Sequence, residues 1–139
     1  MPGLGTWLLV MAGGALGAVL RVFVTRWSLQ RLGANFPWGT MMVNLSGAFL
    51  IGVVFGGLFA GFGWQPSDPT FIFLAYGVLG SYTTVSALSL EWLLLVRKGE
   101  STKAWIYLIG SLAGGVVLVL VGMVTSLLAG AQWLAILQS

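Results

Sequence analysis

Of the 139 residues, 58% are apolar and 6% are charged, and the mean hydropathy is +1.01. A soluble domain carries roughly 25% charged residues, so six basic and three acidic side chains cannot clothe a surface in water, and the chain's solvent is largely lipid. Cysteine and histidine are both absent, which excludes disulfides, thiol nucleophiles, imidazole bases and the usual zinc sites. Asp68, Glu91 and Glu100 make no pair at a catalytic spacing, so the composition speaks against an enzyme. A pI near 9.8 in such a chain reads as membrane topology rather than nucleic-acid binding.

In chain order, residues 1–5 lack the positive region of a signal peptide, so the first apolar segment is expected to stay in the mature protein. Residues 7–20 are apolar, Arg21 interrupts, and 32–67, 69–90 and 104–139 carry no charge. A crossing takes about 20 residues, and two crossings with a turn more than about 40. Each run therefore holds one helix, at 6–27, 38–62, 70–97 and 104–128. The chain 1–139 reads as a single four-helix transmembrane domain. Seven tryptophans mark the same cuts: Trp7 and Trp27, Trp38 and Trp64, Trp92, and Trp105 and Trp133 fall near span ends, where tryptophan favours the headgroups.

The loops between spans one and two and between three and four lie on one side, with Arg26, Arg31, Arg97, Lys98 and Lys103. The other side has no Lys or Arg. The positive-inside rule puts the basic loops in the cytoplasm and both termini outside the cell membrane. Small residues recur every fourth position, Gly13 with Gly17, Gly52 with Gly56, Gly57 with Gly61 and Gly110 with Gly114, which suits close helix packing in lipid. Four short helices rich in glycine enclose little space, so a conduit is expected in a dimer or larger assembly.

Polar groups inside the spans need partners or water. Arg21 either snorkels to the cytoplasmic interface or anchors a neighbouring helix end. Asn44 carries an amide able to donate to an anion or to a carbonyl. In span three, Gly77, Gly80, Ser81, Thr83 and Thr84 weaken the helix near mid-membrane. A break there frees backbone groups, which lipid does not satisfy and which can coordinate a cation. Glu91, two to three turns later, is either an interfacial glutamate or a partner of a pore-lining hydroxyl. Tyr107 and Ser111 share a face of span four, and Ser111 either lines a conduit or bonds its own helix backbone.

Gly13-Gly14-Ala15-Leu16-Gly17-Ala18-Val19-Leu20-Arg21, Trp38-Gly39-Thr40-Met41-Met42-Val43-Asn44 and Gly77-Val78-Leu79-Gly80-Ser81-Tyr82-Thr83-Thr84-Val85-Ser86 stand in this order over nearly the whole chain. In them the sequence resembles the Fluc/CrcB family of small fluoride channels. The resemblance implies an all-α membrane protein with a broken third helix, assembled as an antiparallel dimer with two pores. It implies passive fluoride export, relieving toxicity when HF enters a cell and dissociates. It also implies a structural sodium ion held by the carbonyls of Gly80 and Thr83, and a fluoride path lined by Asn44 with Tyr107, Ser111 and Glu91 nearby.

The sequence departs from the family where that path should run. Two third-helix phenylalanines of the family, whose ring edges face fluoride, are Val85 and Leu88 here. A threonine between them is Ala87, and a second fourth-helix serine is Gly115. Tyr82, one turn before Val85, is a candidate to supply a ring. With the five-to-none charge bias, these losses point to one subunit of a heterodimer whose partner is an opposite-topology homologue, against a homodimer of two copies. Two other readings stand beside the channel: a proton-coupled exporter using Glu91, and a non-conducting membrane subunit packed through its glycines. Expected partners are fluoride, membrane lipid and a second chain, with no nucleic acid.

Overall fold

A computed structural model describes residues 3–59 and 65–137, and every regular element among them is helical. Helix α1 is Leu4–Leu32 and α2 is Trp38–Phe59. The third span opens with α3 (Pro69–Phe71), continues as a π-helical stretch (Ile72–Leu79) and ends its first half in α4 (Gly80–Tyr82). Thr83 and Thr84 are extended, and α5 (Val85–Arg97) resumes the span. Helix α6 is Ser101–Leu137. Gly33 (φ 78°) and Gly99 (φ 79°) take the left-handed conformation that ends a helix, and Gly33 donates its N–H to Leu29 O at 3.1 Å. Pro69 sits in the first turn of α3, where a missing N–H costs nothing.

Four stretches are long and apolar enough to cross a membrane: Leu4–Leu32, Trp38–Gly57, Pro69–Arg97 and Ser101–Trp133. The all-α architecture with four crossings and an interrupted third one matches the expectation from sequence. The ends do not all match. Helix α1 begins before residue 6 and runs past 27, and α6 runs past 128. Hydropathy marks where lipid begins, but a helix stops only at a breaker, and 28–32 and 129–137 hold no proline. The 29 residues of α1 reach about 43 Å, longer than a hydrocarbon core of about 30 Å. Residues 60–62 of the expected second span, with Gly61 and Trp64, lie outside the described residues.

Helix α2 has its largest contact with α6, while α1 packs on the π-helical stretch, α4 and α2. Glycines set both approaches. A Cβ on Gly17 would collide with the Val78 carbonyl, and one on Gly13 would stand 2.6 Å from Phe73 O. A Cβ on Gly52 would collide with the Val119 carbonyl, and one on Gly56 would lie 2.7 Å from Met123 O. Gly110 and Gly114 receive the ends of Met41 and Leu45 from α2. Three of the four expected glycine pairs thus act as helix contacts, and the fourth, Gly57 with Gly61, reaches outside the described residues. One apolar core gathers Val43, Val54, Phe71, Leu79 and Tyr82, and a second gathers Leu88, Leu95, Ala104 and Tyr107. Outer faces of α1 and α6 leave Met11, Phe23, Ile109 and Val116 mostly exposed, as suits lipid or a second chain.

Candidate ion groove at the broken third span

The break is built from three hydrogen bonds. In a continuous helix the Thr84 N–H would donate to Gly80 O, and the Ala87 N–H to Thr83 O. Instead Thr84 N–H donates to Asn44 Oδ1 at 2.8 Å, and Ala87 N–H donates to Thr84 Oγ1 at 3.2 Å, which caps α5. Asn44 Nδ2 in turn donates to Thr84 O at 2.9 Å. One side-chain amide thereby satisfies both backbone groups of Thr84, and one hydrogen of its NH2 remains for another acceptor. The carbonyls of Gly80 and Thr83 are left without their helical donors. Leu79 O accepts from both Thr83 N at 3.1 Å and Thr83 Oγ1 at 3.0 Å, which holds the first half-helix closed up to the break.

A groove of about 380 Å³ runs along the break, lined by Asn44, Gly80, Thr83, Val85, Leu88 and Ser111 among others. Six of the nine residues singled out from sequence therefore share one surface. Val85 is 75% exposed at its lip, while Leu88 is buried. Ser111 is buried, and its Oγ has no hydrogen-bond partner among the described residues. Of the two sequence readings of Ser111, the bond to its own helix is not made, and its hydroxyl remains available on a groove-lining residue.

Glu91 and Tyr107 stand together below the groove rather than on it. Tyr107 is fully buried and its hydroxyl donates to Glu91 Oε2 at 2.6 Å. Thr40 Oγ1 donates to Glu91 Oε1 at 2.9 Å. Both carboxylate oxygens thus hold a hydroxyl donor, and the bond from Tyr107 is the shorter of the two. Of the two readings of Glu91, the geometry is that of a hydroxyl-bound carboxylate tied to α2 and α6. Arg21 lines a separate cavity of about 460 Å³ with Thr25, Arg26, Thr40 and Glu91, and makes no ion pair among the described residues.

Tyr82 is corrected by the structure. It is buried in the first core, its hydroxyl lies 2.9 Å from Ser46 Oγ, and it lines a cavity with Phe23 and Trp27 instead of the groove. Spacing placed it one turn from Val85, but the extended step at Thr83 and Thr84 lies between them and cancels that register. Sequence reasoning passed over Thr40 and Thr84 as individual site residues. The spacing of Thr40 from Asn44, four residues on one helix face, was the available signal. Thr84 shows its role only when its Oγ1 is seen as a cap.

No three His, Cys, Asp or Glu side chains cluster among the described residues. A cation here would rest on backbone oxygens, and the Gly80 and Thr83 carbonyls are hard neutral donors suited to a small alkali ion. Two carbonyls are fewer ligands than such an ion takes.

These features define a multi-pass helical membrane protein whose polar groups converge on an interrupted span. A family model described as CrcB-like protein, Camphor Resistance (CrcB), matches residues 8–123, and the chain belongs to that family. It is 44% identical over 116 residues to a protein of Rhizobium meliloti (strain 1021), covering 84% of this chain and 91% of the relative. It is 45% identical over 120 residues to one of Thermus thermophilus, covering 86% and 92%. A third relative, from Nitrobacter winogradskyi, is 46% identical over 104 residues, covering 75% and 81%. All three bear the name fluoride-specific ion channel FluC.

Proposed function

We propose that this chain is a subunit of a fluoride-selective channel, not an enzyme, and that it lets fluoride leave the cell down its electrochemical gradient. The observation that carries the reading is the groove in which Asn44 and Ser111 meet the break, in a chain whose relatives are named fluoride channels. Fluoride is small and tightly hydrated, so a path for it must replace water with short-range donors. The spare hydrogen of Asn44 and the unpaired hydroxyl of Ser111 supply two, and the Tyr107 and Thr40 hydroxyls continue the polar line toward Glu91.

A sodium ion on the Gly80 and Thr83 carbonyls would add fixed positive charge beside the anion path. The donor set supports it, and the missing ligands would come from the same carbonyls of a second chain in an antiparallel dimer. The chain would sit in the cell membrane with its basic loops inside and both termini outside, on the bias described above. That bias, with the aliphatic Val85 on the groove lip, favours a partner of opposite topology over a second copy.

Fluoride efflux from liposomes holding this protein alone, followed with a fluoride electrode, tests the reading. Rapid efflux establishes a conducting homodimer. No efflux from folded, inserted protein favours the heterodimer, and no efflux even with an opposite-topology homologue present would leave only a non-conducting subunit.

A further inference from the structure

We infer that Asn44 is the positioning residue of the cation site: its side chain, on α2, keeps the third span broken and so turns the Gly80 carbonyl into a ligand. This rests on the proposed cation at the break and extends it to a residue otherwise read as a lining of the anion path.

Two acceptors compete for one amide. The Thr84 N–H lies inside the membrane span and must have a partner, since an unsatisfied amide in lipid costs several kcal/mol. Gly80 O is the acceptor an uninterrupted helix would use, and Asn44 Oδ1 is the one it does use, at 2.8 Å. Whichever acceptor takes the proton leaves the other free. Asn44 wins because its amide also supplies the donor that Thr84 O takes, at 2.9 Å. The pair is bidentate, one side-chain amide meeting both backbone groups of Thr84. Thr84 is buried, so water does not compete well for either group.

The Thr83 carbonyl is freed differently, by Thr84 Oγ1 capping Ala87 N–H at 3.2 Å. The two ligands of the half-site therefore have separate origins. One comes from a side chain within the same span and the other from a side chain on α2. Asn44 also ties cation binding to the seating of α2, which is the helix in largest contact with α6. An Asn44 variant should thus alter sodium dependence even where no anion is present.

The test is the thermal unfolding of purified protein in detergent, without fluoride, as sodium replaces an organic cation such as N-methylglucamine. The readout is the slope of the midpoint against the logarithm of sodium concentration, because a ligand that binds only the folded state raises the midpoint with its concentration. Wild type should show a positive slope. Asn44→Ala should lose the slope, beyond any drop in the midpoint itself. Asn44→Gln carries the same acceptor and donor and should keep a slope, and it decides the matter if Asn44→Ala does not fold. A wild-type slope in Asn44→Ala, or a lost slope in Asn44→Gln, overturns the assignment to Asn44 while leaving the cation in place. A flat wild-type line overturns the cation reading itself.

Discussion

Ser111 and Glu91 carry opposite lessons about a polar side chain in a membrane. Glu91 has both oxygens occupied by hydroxyls of two other helices, so it belongs to the packing of α2, α5 and α6 as much as to any conduit. Ser111 has no partner among the described residues. A buried hydroxyl without a partner gives no stability in return for its desolvation, so replacing it with a methyl group is close to neutral or favourable. Ser111→Ala should therefore leave the thermal midpoint of the purified protein unchanged or slightly raised, and should slow fluoride efflux from liposomes several-fold. Unchanged efflux would remove Ser111 from the proposed path. The resemblance to the family pointed to Asn44, Gly80, Thr83, Val85, Leu88 and Ser111, and the structure brings these six to one groove. The position of Tyr82 was not legible in the sequence, since a spacing rule assumes one uninterrupted helix and two extended residues void it.

At the scale of elements, composition anticipated four helices long and apolar enough to cross a membrane, and the weakness of the third span was visible in its glycines and threonines. The form of the break was not visible, because it depends on which acceptor an amide finds across α2. The π-helical stretch before it was also unforeseen, since Ile72–Leu79 is apolar throughout and no residue in it marks a wider turn. At Gly13 with Gly17 and at Gly52 with Gly56, four apart in sequence, the structure shows backbone meeting backbone. Gly17 is the most demanding case, with the Val78 carbonyl where a methyl group would go. Gly17→Ala should push α1 off the third span at a cost of about 1–3 kcal/mol, the usual penalty of overpacking, read as a lower midpoint in the same detergent. Gly115, with nothing within 4 Å of a built Cβ, is the control and should tolerate alanine with little change.

For the whole molecule, the five-to-none distribution of Lys and Arg across the loops predicts one orientation in the membrane. The absence of cysteine makes this simple to check. Asn35 is exposed in the loop between α1 and α2, and Asn35→Cys should react with a membrane-impermeant maleimide only after the cell membrane is permeabilised. Labelling of a large fraction in intact cells would show insertion both ways, and would remove the main support for an opposite-topology partner.

The π-helical stretch also bears on which changes the gene can survive. A π turn is an α turn holding one residue more, and losing that residue returns the segment to ordinary winding. Every position after it would keep its bearing about the helix axis, because the turn closes the same angle with one residue fewer. Gly80, Thr83 and Thr84 would stay beside Asn44 through such a loss. Between α1 and α2 a codon gained or lost changes only the slack of a loop. Between Ile72 and Leu79 the wide turn is a second such reserve, inside a helix, so this family should tolerate one residue fewer there more readily than anywhere between Gly80 and Thr84.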